Sequence, residues 1–433
     1  MNLKRIDQLF AFEKGSLQST KCVAGNYNFI TASADWKTNS EYTHETEALV
    51  FAAAASGSLG RAHYVNGKFI ASDLCFILSP KDPINLPVNL LFYHIIFNEL
   101  REDIVKNTKS GTSKEAISLG SFGKYEIPYF DIDKQIEIKN QFVSSKLTNE
   151  KLSSELTSQL TLLKKLRQQI LQDAVQGKLV PQDPNDEPAS KLLERIKAEK
   201  ELLIREKKIK KDKLLSEINP EEIPFEIPKS WVWCRLGTIL TEIKYGTSKS
   251  CNYDSTQNSG VLRIPNVSSG ILNGEDLKYT NLSKKEITDL SLEKDDILII
   301  RSNGSRELVG RTVLVTERFV GFSYAGYLVR LRFNKELSNA QYLLNCSSSS
   351  FFRELIETPL RTTVGINNIN STEISELLIP LPPRHEQHRI AAKIEQLLKL
   401  CDELEQNIQQ NQKYTQELLQ VALKEALEPK IRP

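Results

Sequence analysis

IEIKNQFVSSKLTNEKLSSELTSQLTLLKKLRQQILQDAVQGKLVPQDPNDEPAS, residues 136–190, is the stretch on which the fold turns. Leu152, Leu156, Leu163, Leu166 and Ile170 recur at spacings of four, seven, three and four, which is a heptad seam. Lys, Glu, Gln and Ser fill the positions between them, so one narrow stripe is apolar and the rest is polar. A helix of roughly 45 residues at 1.5 Å rise is about 70 Å long, far beyond the usual globular helix. So narrow a stripe needs a partner helix to cover it.

The partner lies in the same chain. From Arg389 onward, Ile390, Ile394, Leu397, Cys401, Leu404, Ile408, Asn411, Thr415, Leu418 and Ala422 alternate by four and three. Asn149 and Asn411 fall on the two seams and read either as buried polar side chains that fix register at some cost in stability or as end-of-seam residues in contact with water. The likeness extends upstream. EIPYFDIDKQIEI (126–138) aligns with LIPLPPRHEQHRI (378–390), placing Pro128 on Pro380 and Gln135 on Gln387. The distal parts LRQQILQDAV (166–175) and YTQELLQVAL (414–423) also match, as do GRAHYVNGKFI (60–70) and GRTVLVTERFV (310–320). The chain reads as a tandem duplication of domain then helix.

Its 433 residues leave room for two to four domains. No apolar run is long enough to span a membrane, and the six cysteines form no CxxC pair, which fits reduced thiols in a cytoplasmic protein. A net charge of +2 excludes a histone-like polycation, so any nucleic-acid surface is local.

The boundaries read as a first domain at 1–131, a long helix at 132–180, a turn and charged helical linker at 181–219, a second domain at 220–382, and a second long helix with a tail at 383–433. In the first domain YNFITAS, EALVFAA, KFIAS and LCFIL predict strands and 88–104 predicts one helix. In the second, VLRIPNV, DILIIRS, RTVLV and YLVRLRF predict strands, and 339–357 predicts a helix. Residues 191–217 predict a Lys-rich helix, read as a solvated charged face in preference to a phosphate contact. The fold class is α+β: two mixed, mainly antiparallel α/β domains, and two long helices forming an antiparallel intramolecular coiled coil with pseudo-two-fold symmetry.

Polar, Gly-rich loops cluster in both domains. SADWKTN (33–39), SGSLGR (56–61) and KNTKSGTSKE (106–115) supply Lys37, Arg61, Lys109, Thr112 and Lys114. KYGTSKSCNYD (244–254), RSNGSRELVGR (301–311) and LRTTVGINNIN (360–370) supply Lys249, Arg301, Asn303, Arg306, Arg361, Thr362, Asn367 and Asn368. Arg reads guanine edges and Asn reads adenine, while Lys and turn N–H groups hold phosphates. These thirteen residues are the expected DNA contacts. Any one such loop reads first as a plain surface loop; six of them, with one before each long helix, favour DNA.

Catalytic constellations are missing. There is no GxxxxGK[ST] loop, no Rossmann glycine fingerprint and no Asn-Pro-Pro-aromatic motif. His385 and His388 are three apart, not the four a zincin needs, so a structural or solvent role is expected and no metal. Glu137-Ile138-Lys139 sits at a helix start, where acids suit the dipole. The chain reads as non-catalytic and without a bound cofactor.

Four stretches then resemble the specificity subunit of type I restriction-modification systems: 166–201, the opening IPKSWVWCRLGTI (227–239), VLRIPNV (261–267) and 379–405. The first domain lacks the Trp-x-Trp opening and begins almost directly in the fold. The resemblance implies two target recognition domains, each reading half of a split, asymmetric site in double-stranded DNA, with the paired helices setting their spacing. It implies two docked modification subunits that bind S-adenosylmethionine and methylate adenine, and through them restriction subunits using ATP and Mg. The other reading is a coiled-coil structural adaptor whose domains bind proteins; salt-dependent, sequence-specific DNA affinity separates the two.

Overall fold

The computed structural model describes residues 2–427 except 55–56, 111–114, 212, 358–360 and 364–365; the side chains of 361–363, 419–420 and 422–427 are also outside the description. Contacts divide the chain into two compact units, Met1–Thr157 with Gln409–Pro433, and Ser158–Ile408.

The first unit is built on a six-stranded sheet in the order Phe10–Lys14, Cys75–Pro80, His44–Ala52, Ala62–Ala71, Tyr27–Ile30, Lys37–Asn39. Every neighbouring pair is antiparallel except Tyr27–Ile30 with Ala62–Ala71. Alternation along the central strand splits its side chains between two cores. Leu49 and Phe51 join Tyr93, Phe97 and Phe122 on one face, while Ala48, Val50 and Ala52 join Val65, Phe69 and Ile77 on the other.

The second unit has a four-stranded antiparallel sheet ordered Leu240–Tyr245, Leu328–Phe333, Ile297–Ile300, Thr312–Leu314. Two three-stranded sheets accompany it: Lys278–Thr280, Ser259–Leu262, Ser323–Tyr324, and Ser302–Asn303, Ile366–Asn368, Arg361–Thr363.

Four expected elements differ from the structure. Each expected domain helix is two: Leu90–Glu99 and Arg101–Thr108 break at Leu100, and Ala340–Ser347 and Ser350–Glu357 break in the serine run. There the Ser349 hydroxyl accepts from Phe352 N at 3.2 Å, a local bond that competes with helix continuation. The strand expected over 261–267 ends at Leu262, and Ile264–Val267 is one helical turn with Pro at its start. Proline fixes φ for that first turn and cannot donate to a ladder. The linker helix spans only Ala189–Arg205. It closes at Lys207, φ 58°, whose N–H reaches Ile204 O at 3.0 Å while Lys208 N reaches Leu203 O at 2.9 Å, a Schellman stop.

The long helices are Ile132–Val175 and Arg384–Leu427. Within the second unit they run antiparallel: Arg167 bridges Asp402 at 2.7 Å and Glu405 at 3.0 Å, and farther along Gln182 donates to Glu386 at 2.6 Å. Leu156, Leu163, Ile170, Ile390, Ile394, Cys401 and Thr415 are buried, and Leu397 and Ile408 pack from half-buried positions against the core that holds Leu163, Ile170, Ile390, Ile394 and Cys401. Leu152, Leu166, Leu404 and Leu418 are instead exposed, at 43, 47, 51 and 63%. The inward row on the first helix is 156, 160, 163, 167, 170, 174, so Arg167 takes the place expected for Leu166. On the second helix Glu405 replaces Leu404, and the pair is held by the Arg167 bridge. Asn411 is exposed and leaves the seam. Asn149 stays half-buried, its Oδ1 without a hydrogen-bond partner among the described residues. Ala422 falls outside the described side chains.

The repeat is deeper than the sequence alignment alone. Gln135 and Gln387 are both fully buried. Each accepts from the N–H of a helix-capping asparagine, Asn89 at 2.7 Å and Asn339 at 2.9 Å, and donates to a carbonyl at the helix start, Phe130 O at 2.7 Å and Pro382 O at 3.0 Å. Beside them Tyr93 and Tyr342 donate to the aligned carbonyls of Pro128 and Pro380. Those prolines lie in strands that pair with the opening strand of each domain, Leu3 opposite Pro128 and Trp233 opposite Pro380.

Candidate nucleic-acid interface

The small sheet Ser302–Asn303, Ile366–Asn368, Arg361–Thr363 gathers most of the second domain's expected contacts. Its register sets Asn303 opposite Asn367, and Asn367 and Asn368 opposite Thr362 and Arg361. Asn367 is buried and donates to Gly304 O at 3.0 Å, which holds the 303–305 turn; Asn303 Oδ1 accepts from Ser305 N at 2.7 Å. Asn368 is half-buried and its amide makes no hydrogen bond among the described residues. Thus Asn367 supports the turn while Asn303 and Asn368 keep polar atoms for a ligand. The side chains of Arg361 and Thr362 lie outside the described set.

Arg301 enters this sheet by backbone bonds, its N to Tyr327 O and its O from Ile369 N, both 2.9 Å. Its guanidinium carbon sits 4.9 Å from the Tyr245 ring centre, and one terminal nitrogen reaches Gly326 O at 3.4 Å. Stacking on an aromatic face holds the planar fork without using up its donors. Tyr245 is the residue that sequence reasoning missed. It closes the strand Leu240–Tyr245, at the start of the stretch 244–254 that the sequence reads as a Gly-rich loop, and an aromatic there was the available signal.

Arg306 is exposed at the rim, 3.3 Å from Glu357 O and 3.9 Å from that carboxylate. Lys249 is placed elsewhere. Its ammonium bonds Glu286 at 2.8 Å and Asn281 O at 3.2 Å, and with Ser283 it holds the Glu286 carboxyl down at about 2.

The loops behind these sites are braced alike in both domains. Arg101 donates to Leu59 O at 2.8 Å and Gly57 O at 3.0 Å; Arg353 donates to Val309 O at 2.6 Å and Arg306 O at 2.8 Å. Gly60 and Gly310 take φ of 82° and 87°, and a Cβ there would meet Val105 at 2.5 Å or Ile356 at 2.3 Å, so neither tolerates a side chain.

In the first domain Lys37 is exposed on the edge strand, Arg61 is half-buried at the braced loop, and Lys109 pairs with Glu115 at 2.7 Å. Thr112 and Lys114 lie outside the described residues. Trp36, next to Lys37, is partly exposed and donates its indole N–H to His63 Nδ1 at 3.2 Å. Burial, then the nearby charges of Arg61 and His94, lower the His63 pKa to about 4, so the ring is neutral.

Among the described residues no group of three or more His, Cys, Asp and Glu side chains is placed to hold a metal, and no helix is long and apolar enough to cross a membrane. His388 bonds the Asn339 amide at 2.8 Å, and Glu386 is buried, accepting from Trp231 Nε1 at 3.0 Å and from Gln182. That segment ties the helix to the Trp231 strand region and the linker turn.

A family model described as the type I restriction modification DNA specificity domain matches residues 1–160 and 228–412. The chain is 34% identical over 248 residues to the Type I restriction enzyme EcoEI specificity subunit of Escherichia coli, covering 56% of this chain and 42% of that protein. It is 36% identical over 249 residues to the EcoAI specificity subunit of the same species, covering 55% of this chain and 40% of that one. The matches thus span about two-fifths of the length of these relatives. The crystal structure of the HsdS subunit from Thermoanaerobacter tengcongensis has a similar fold, with TM-score 0.55, 16% identity, and coverage of 99% of this chain and 97% of that one.

Proposed function

Because the chain belongs to the type I restriction modification DNA specificity domain family, we propose that it is the non-catalytic DNA-reading subunit of a methyltransferase and nuclease complex. The observation that carries this reading is the sheet of residues 302–303, 361–363 and 366–368. It draws Arg301, Asn303 and Asn368 together from positions far apart in sequence and leaves them donors and acceptors for base edges. The two domains have different loops, so the site read is bipartite and asymmetric, one half per domain. The paired helices dock two modification subunits, which carry S-adenosylmethionine, and through them restriction subunits carrying ATP and Mg. The place of action is the cytoplasm.

The test is genome-wide adenine methylation in cells expressing the chain with its modification subunit, against cells lacking only the chain. Methylation at one split, asymmetric sequence that depends on the chain is expected. Its absence, with the modification subunit folded and bound to the chain, would favour the adaptor reading instead.

A further inference from the structure

Residues 205–213 read REKKIKKDK: Arg205, Lys207, Lys208, Lys210, Lys211 and Lys213 against Glu206 and Asp212. All six cations are exposed. Arg205 pairs with Glu201 at 3.8 Å and Lys208 with Glu206 at 2.8 Å. The ammonium groups of Lys207, Lys210, Lys211 and Lys213 have no hydrogen bond or ion pair among the described residues. A run of like charges with so few local counter-charges repels itself, and an external anion would relieve that repulsion.

A second observation concerns Lys207. It occupies the left-handed position of the Schellman stop, φ 58°, where glycine is the ordinary occupant and a side chain is strained. A cation occupies that position despite the strain.

A third fixes the place of the run. Directly after it, Ser216 bonds the Glu376 carboxylate through its N at 3.1 Å and its hydroxyl at 2.5 Å. Arg235 holds Ser216 O at 3.3 Å, Glu217 O at 3.0 Å and Glu222 at 2.5 Å. Glu376 ends the short helix Ser371–Glu376, and Ser371 N donates at 2.7 Å to the hydroxyl of Tyr245, the ring under Arg301. That helix is about 9 Å long at 1.5 Å per residue, and three extended residues from Ser216 back to Lys213 add at most about 11 Å. The Lys213 end of the basic run is therefore tied to the Arg301 sheet through Ser216, Glu376, Ser371 and Tyr245.

We propose that Arg205, Lys207, Lys208, Lys210, Lys211 and Lys213 form a phosphate clamp that grips the DNA backbone beside the half-site contacted by the Arg301 sheet. The clamp rests on the DNA-reading function proposed above. It supplies affinity and no sequence information, because phosphates look alike on every sequence. Duplex DNA fits the run better than an acidic protein face, since the cations follow one another along the chain as phosphates do along a strand.

The experiment is salt-dependent binding by the full chain in complex with the modification subunit, on a duplex carrying the methylated sequence and on a scrambled duplex. The variant is K207Q/K208Q/K210Q/K211Q, with the matching four-arginine variant as rescue. The slope of log K against log salt is expected to become shallower by about 2 to 4, near 0.9 per lost phosphate contact. Both duplexes should weaken together, their ratio should stay fixed, and arginine should restore the slope. If the unaltered complex binds DNA and the glutamine variant keeps its slope, the clamp is wrong and the DNA-reading function stands. A shift in which sequence is preferred also overturns it. If the unaltered complex binds neither duplex, the reading and the clamp fall together. Should the fourfold variant melt early, K210Q/K211Q, which lies beyond the helix stop, is read in its place.

Discussion

On the DNA-reading function proposed above, Arg301 is the residue at which recognition would concentrate. The guanidinium is stacked on Tyr245 and tethered once to Gly326 O, so its orientation is set before DNA arrives. Arg301→Ala is expected to cost about 1 to 3 kcal/mol of binding and to relax one base of one half-site. Arg301→Lys should recover little, because an ammonium cannot keep the planar stack. Binding to a pool of duplexes randomised at each position checks both. His63 governs a different property. Its folded pKa of about 4 lies below the ordinary 6.5, so above pH 6.5 both folded and unfolded states are neutral there. As pH falls from 6.5 towards 4 the unfolded chain takes a proton that the folded chain refuses, and stability is lost. Between pH 7 and 5 the loss is on the order of 2 kcal/mol. Melting curves of the His63→Gln variant should show that much less acid sensitivity; an unchanged pH slope would contradict the assignment. At this scale the sequence showed which residue types matter but not their partners. Arg361, Thr362, Asn367 and Asn368 were legible as one polar loop. That Arg301 and Asn303 join them, or that Lys249 closes on Glu286, depends on pairings tens of residues apart that no local pattern carries.

The long helices show how far an apolar pattern can be trusted. Heptad spacing located both helices and the buried Leu156, Leu163, Ile170, Ile390, Ile394 and Cys401. It misplaced Leu166 and Leu404, because spacings of three and four can be taken in either order, and leucine looks a better seam residue than arginine or glutamate. The structure uses Arg167 and Glu405, whose stems cover apolar surface while their charges pair. Leu163→Ala or Ile390→Ala should therefore cost about 2 to 5 kcal/mol, as large-to-small core changes do. Leu166→Ala and Leu404→Ala should each stay within about 0.5 kcal/mol, as exposed changes do. Denaturant titration decides between the two seams, and the reverse ordering would restore the sequence-read one. The same reasoning separates the asparagines: Asn149→Leu should raise the melting temperature, whereas Asn411→Leu should leave it unchanged.

For the whole molecule, duplication was legible because sequence identity survives where a bond depends on it. Gln135 and Gln387, Pro128 and Pro380, and Gly60 and Gly310 align and do the same work. The sheets of the two domains diverge around those points, and neither the six-stranded sheet of the first nor the two small sheets of the second could be drawn from strand propensities alone. If one domain reads each half-site, the helices set the gap between halves. Inserting four residues into one long helix, about 6 Å, should change the spacer and leave both half-sites as they are. Methylation mapping of such a variant reports this, and an altered half-site would count against it.

The paired glutamines have a consequence for descent. Each is a socket cut to one pattern: an amide that takes the N–H of a capping asparagine and returns a bond to the start of its own helix. A recombination event that carried one head into the other's place would find the same bonds waiting. Heads joined this way would be exchangeable as cassettes, and, on the DNA-reading function proposed above, such an exchange would give a lineage a new target while its frame passed down unaltered.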